Sequence, residues 1–180
     1  IWRLTGAGVT SPVLISGASG VGCIYNGDNC GDGGTIANLR FGMARLSAPN
    51  TFVGLESDAN GLYVLDQGNE KRGRVRYLNV SAQPVTLAGT TIANNTGDTI
   101  GGIGLNSPYD GILATASALT DLSGVTIDTN GNLWVADTYR HSIRFVNRGS
   151  NAITLFAGTA AEQTVLPGQI TTINNNVAPN

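Results

Sequence analysis

Between Asp128 and Gly158 apolar and polar residues exchange in short, regular runs. Leu133-Trp134-Val135-Ala136 is an apolar stretch of strand-favouring side chains closed by Asp137. Ser142 to Val146 alternates polar with apolar, the period of a half-buried strand, and Ile153 to Ala157 forms a further run ended by Gly158. Asn130-Gly131-Asn132 and Arg148-Gly149-Ser150-Asn151 separate these runs, and Asn and Gly tolerate the positive φ that tight hairpins require. With Gly124-Val125-Thr126-Ile127 in front, the pattern predicts a four-strand antiparallel meander.

The same pattern occurs earlier in the chain. Asp58 to Asp66 matches Asp128 to Asp137 with one residue fewer, Val75-Arg76-Tyr77-Leu78 matches Ile143 to Val146, and Val85 to Thr90 matches Ile153 to Thr159. Gly61 precedes Gly131 by 70 positions, Arg76 precedes Arg144 by 68, and Gly89 precedes Gly158 by 69. A spacing held that closely at three anchors marks an internal repeat. It predicts strands one and two of a first unit in Phe52 to Asp66, strand three in Arg74 to Leu78 and strand four in Val85 to Ala88. Tyr63 and Trp134 take equivalent places on the second strands and are expected to be buried between adjacent sheets. Ile112 to Leu122 is expected to hold a short helical stretch, because Ile112, Ala116 and Leu119 fall near one face.

Gly131-Asn132-Leu133-Trp134-Val135-Ala136-Asp137, His141-Ser142-Ile143-Arg144 and Ile153-Thr154 with Ala157-Gly158-Thr159 together resemble the NHL repeat, a four-stranded β-propeller blade. Gly31-Asp32-Gly33-Gly34 with Ala44 to Pro49, and Asp110-Gly111 with Ala114 to Leu119, resemble the lead-in of bacterial and extracellular members. The resemblance covers roughly residues 30 to 160 and implies an all-β fold, a β-propeller fragment of four-stranded antiparallel blades. On this reading residues 1–180 are one propeller segment. Residues 1–17 end one blade, 45–90 form the first full blade, 118–159 the second, and 160–180 begin the next blade or form a tail. Ile1 to Leu4 and Val13 to Ser16 would be the last two strands of their blade, and Gln169 to Ile173 is a further strand candidate. Two full blades leave sheet faces uncovered, so the expected partners are missing blades of the same polypeptide or neighbouring subunits, a homo-oligomer among them.

Composition narrows the function. The net charge is −2 and 12% of residues are charged, so no basic field is available to hold nucleic acid. No apolar run approaches the roughly 18 residues of a membrane span. The 25 glycines and 41% apolar residues suit a turn-rich all-β protein. Cys23 and Cys30 lie close together in a Gly- and Asn-rich loop, and a local disulfide between them suits a secreted, periplasmic or cell-surface protein.

The remaining candidates for chemistry read mostly as scaffold. Asp66 and Asp137 close the second strands, where they can accept turn N–H groups or pair with Arg76 and Arg144. His141, the one histidine, occupies a turn position of the repeat. Propeller lyases similar to NHL proteins use several histidines around a central metal, so a lone histidine argues against a complete site in this segment. Asn26, Asp28 and Asp32 offer oxygens in a Gly-rich loop that suit calcium, without the spacing and terminal Glu of an EF-hand, and no other cofactor is expected. Asn79-Val80-Ser81 and Asn94-Asn95-Thr96 are glycosylation sequons. The expected function is a secreted or cell-surface non-catalytic scaffold or interaction module. The alternative is part of a propeller lyase or lactonase whose metal site lies partly elsewhere.

Overall fold

The computed structural model of the protein describes residues 2–3, 13–14, 23, 30–42, 54–67, 72–87, 90–102 and 110–158. Near the N-terminus β1 (Trp2–Arg3) pairs antiparallel with β2 (Val13–Leu14). The first blade opens with β3 (Leu55–Ser57), turned into β4 (Gly61–Gln67) by Asp58. One carboxylate oxygen of Asp58 accepts the N–H groups of both Asn60 and Gly61 at 2.8 Å, which closes the turn locally. β4 then runs antiparallel to β5 (Arg72–Asn79), with Tyr63 opposite Tyr77 and Val64 opposite Arg76.

Beyond β5 the structure corrects the sequence reading. Val85 does begin a strand, β6 (Val85–Leu87), but it pairs with β7 (Thr90–Ile92) in a separate hairpin. The fourth strand of the first blade is β8 (Gly97–Gly101), paired with β5 from Leu78 opposite Gly97 to Val75 opposite Gly101. The hairpin is drawn aside because Val85, Leu87 and Ile92 bury their side chains in the core shared by the two blades. Asn79 holds its base, its side-chain amide donating to the carbonyls of Gln83, Ile92 and Ala93. The first blade therefore extends to residue 101 rather than ending at 90, and the structural counterpart of Gly158 is Gly102. Both have positive φ, 96° and 93°, and a side chain at either would strike the backbone of the third strand, at His141 and Ser142 or at Gly73 and Arg74.

The second blade follows with β9 (Ile112–Leu113), β10 (Leu119–Thr120), β11 (Leu122–Ile127), β12 (Leu133–Asp137), β13 (Ser142–Val146) and β14 (Ala152–Gly158). Its strand order is β11-β12-β13-β14-β9. The helical stretch expected around Ile112 to Leu122 reduces to one 3-10 turn, Ala114–Ala116, because the flanking residues enter β9 and β10. β10 crosses to the first blade, setting Leu119 opposite Gly73 and Thr120 opposite Arg72, and so fastens the two sheets together.

The two sheets pack face to face. Tyr63, Leu65, Val75 and Tyr77 from one face of the first meet Leu133, Val135, Val146 and Ile153 from the near face of the second. Strand alternation sends Val64 and Leu78 to the opposite face of the first sheet, where they pack on Ile36 and Leu39 with Phe41 and Leu62 at the margin. Alternation likewise sends Trp134 and Phe145 away from the first blade. Tyr63 is buried as expected, but Trp134 is only half-buried, resting on Phe145 and Phe156 at 4.8 and 4.6 Å between ring centroids. The expectation that both rings lie between sheets is corrected for Trp134.

Candidate functional site

The residues singled out by the repeat meet at the junction between each blade and the chain leading into it. Gly33 and Gly111 share a φ of 77°, and their N–H groups bond the fourth strands at Gly97 and Ile153, at 3.0 and 2.8 Å. A 3-10 turn follows in each case, Ile36–Asn38 and Ala114–Ala116. This shared turn aims the preceding aspartate at the third-strand arginine. Asp32 reaches Arg76 Nη2 at 2.5 Å, and Asp110 reaches Arg144 Nη2 at 3.0 Å. Both guanidinium groups are fully buried, so each needs such a partner.

The aspartates closing the second strands complete the junction. Asp66 accepts the Gly42 N–H at 2.6 Å with one oxygen and Arg76 Nη1 at 3.3 Å with the other. Asp137 accepts the Thr120 N–H at 3.2 Å and Arg140 Nη1 at 3.3 Å in the same manner. Each carboxylate thus ties its own blade to the chain that enters it. Around Arg76 the bonds extend to the carbonyls of Arg40 and Cys30, at 2.7 and 3.2 Å, and Phe41 lies 5.2 Å from the guanidinium carbon. Asp32 also accepts Arg74 Nη1 at 3.3 Å and Thr99 Oγ1 at 2.7 Å. Its carboxylate, one of the oxygens offered for calcium, faces two arginines. The other two members of that loop, Asn26 and Asp28, lie outside the described residues.

Cys23 and Cys30 form a disulfide with their Cα atoms 5.4 Å apart. The bond holds Cys30 where its carbonyl meets Arg76, immediately before the Gly31-Asp32 turn. Tyr63 and Tyr77 pack edge to face at 4.8 Å, and both hydroxyls donate to Asp58, at 3.0 and 2.9 Å. Burial raises the Asp58 pKa, but hydrogen bonds from Asn60, Tyr77, Tyr63 and Gly61 outweigh it and hold the carboxyl below its ordinary range. His141 sits exposed in a left-handed turn at φ 49°, as the C-cap of the Thr138–Arg140 turn. Asn79 is buried with its amide committed, whereas Asn94 is exposed. Among the described residues no group of three or more His, Cys, Asp or Glu side chains gathers to hold a metal ion.

Residues 119–144, running from β10 into β13, match the family model of the NHL repeat. This stretch of the second blade is an NHL repeat. No curated protein matches the chain. The matched NHL repeat contains Trp134, Asp137, Arg140, His141 and Arg144, so its recurrent charged residues are the ones that lock the blade to its lead-in. Sequence reasoning had not singled out Arg140, which has no counterpart among the first-blade anchors. Asp110 was visible only as half of an Asp-Gly pair, and the loop that brings it to Arg144 spans many positions.

Burial pushes the Asp137 carboxyl up to about 6, against the opposing charge and hydrogen bond of Arg140. The folded state therefore holds this proton more tightly than the unfolded chain. Stability should fall as pH rises from about 4 to about 6, and level off above that. Asp137→Asn should flatten this part of the profile, read by urea unfolding at closely spaced pH values. An unchanged slope in the variant would assign the proton elsewhere.

Proposed function

We propose that this NHL-repeat segment is a secreted or cell-surface, non-catalytic scaffold that binds protein through its blade faces, of the bacterial or extracellular type its lead-ins resemble. The observation that carries the reading is the outer face of the second blade. There Trp134 and Phe156 are half-buried and Ile143 is 37% exposed, whereas their counterparts Tyr63, Ile100 and Val75 in the first blade are buried. A sheet face built for burial and left open is a protein-binding surface. The Cys23–Cys30 disulfide supports an oxidising compartment. Among the described residues no helix is long and apolar enough to cross a membrane. The partners fitting such a face are further blades of the same polypeptide or neighbouring subunits.

The test compares this reading with the lyase or lactonase alternative. The protein purified from its native source, in full length, is desalted and assayed for retained divalent metal and for turnover of a panel of lactones and amidated substrates. The scaffold reading expects neither a stoichiometric metal nor turnover. A retained metal together with catalysis would overturn it.

A further inference from the structure

Two glycosylation sequons flank the β6–β7 hairpin, Asn79-Val80-Ser81 where the chain leaves β5 and Asn94-Asn95-Thr96 where it enters β8. The fold treats them in opposite ways. Asn79 has no exposed surface. Its Nδ2 donates to the carbonyls of Gln83, Ile92 and Ala93 at 2.7, 3.0 and 3.1 Å. Its Oδ1 accepts the N–H and the hydroxyl of Ser81 at 3.0 and 2.7 Å. A sugar on that nitrogen would replace a hydrogen these carbonyls share, and a sugar is far too large for a buried position. Stripping buried carbonyls of their donor is costly, so the folded molecule has to carry Asn79 bare.

Asn94 stands at the first corner of the turn that Asn79 holds in place. The Thr96 N–H closes this turn on the Ala93 carbonyl at 3.3 Å, and Asn95 takes the second corner at φ 55°. Its backbone is pinned from inside the blade. The Ile36 N–H bonds the Asn95 carbonyl at 3.1 Å and the Asn79 N–H bonds the Thr96 carbonyl at 2.9 Å. Thr96 Oγ1 donates to the Ala93 carbonyl at 2.8 Å. These bonds fix the turn without the Asn94 amide, and the Asn94 side chain is exposed. The turn lies at a strand end, whereas blades of a propeller pack on the faces of their sheets.

We propose that Asn94 is the acceptor of an N-linked glycan and that Asn79 is not. The proposal rests on the secreted or cell-surface part of the reading above and adds a modification site to it. The co-substrate is a lipid-pyrophosphate-linked oligosaccharide. Asn94 Nδ2 bonds to the anomeric carbon as the bond from that carbon to the pyrophosphate oxygen breaks. The lipid pyrophosphate leaves with the electron pair, and the amide proton passes to a base of the transferase. A bulky, solubilising group at this turn leaves the sheet faces clear for protein partners.

The full-length protein from its native source is digested and its peptides are mapped by mass spectrometry before and after treatment with peptide N-glycosidase, which leaves aspartate at a former acceptor. The Asn94 peptide should carry the glycan and show aspartate at that position after treatment, and the Asn79 peptide should be bare in both digests. Asn94→Gln made in the same cells should lose the glycan mass and remain folded. An unmodified Asn94, a glycan on Asn79, or an Asn94→Gln variant that keeps its glycan would overturn the proposal. Fractionation of the same cells reads the compartment separately. An unmodified Asn94 in an exported protein would overturn the acceptor assignment alone, and in a protein held in the cytoplasm it would overturn the compartment as well.

Discussion

Asp32→Ala is expected to destabilise the protein by about 3–5 kcal/mol, the range found when one partner of a buried ion pair is removed. The Asp32 carboxylate is the nearest counter-charge to Arg76, at 2.5 Å, and the guanidinium it serves has no exposed surface. Asp66 also reaches Arg76, but at 3.3 Å and while holding the Gly42 N–H. The corresponding substitution in the second blade, Asp110→Ala, should cost less. Asp110 is 50% exposed against 13% for Asp32, so its ion pair with Arg144 is screened by water. Urea unfolding of both variants checks the ranking. Equal losses would show that burial of the carboxylate does not set the strength of these junctions.

Tyr63→Ala should cost roughly 3–5 kcal/mol, the usual penalty for emptying a large aromatic site in a core. The ring is fully buried between the blades, packs on Tyr77, and donates its hydroxyl to Asp58. Tyr63→Phe keeps the packing and removes only the hydrogen bond, a loss of about 1 kcal/mol. Trp134→Ala occupies the equivalent register position, yet it should cost well under the Tyr63 value. The reason is that the indole is only half-buried where the Tyr63 ring is fully buried, so less apolar surface is lost from the core. Denaturation of the three variants at low protein concentration measures this. A Trp134→Ala loss as large as that of Tyr63→Ala would mean that the second-blade face is covered within the monomer.

Alternation and turn chemistry made the blades legible before any coordinates. Asp58 and Asp128 close their turns through bonds to residues two to four positions ahead, and interactions of such short range are written directly in the sequence. The strands β11 to β14 follow the same local logic, as does the recurrence of Asp66, Arg76, Asp137 and Arg144 in a repeat whose NHL character the family match bears out. Three decisions belonged to the tertiary structure alone. Val85-Thr86-Leu87 and Gly97 to Gly101 were both available to pair with β5, and the choice turned on which side chains could reach the core between the blades. The partners of Arg76 include an aspartate 44 positions upstream, aimed there by the turn whose Gly33 N–H bonds the fourth strand at Gly97. The contrast between Tyr63 and Trp134 depends on whether another sheet lies across the face. A period of two residues states which side chains share a face of a sheet, and it carries no information about what that face meets.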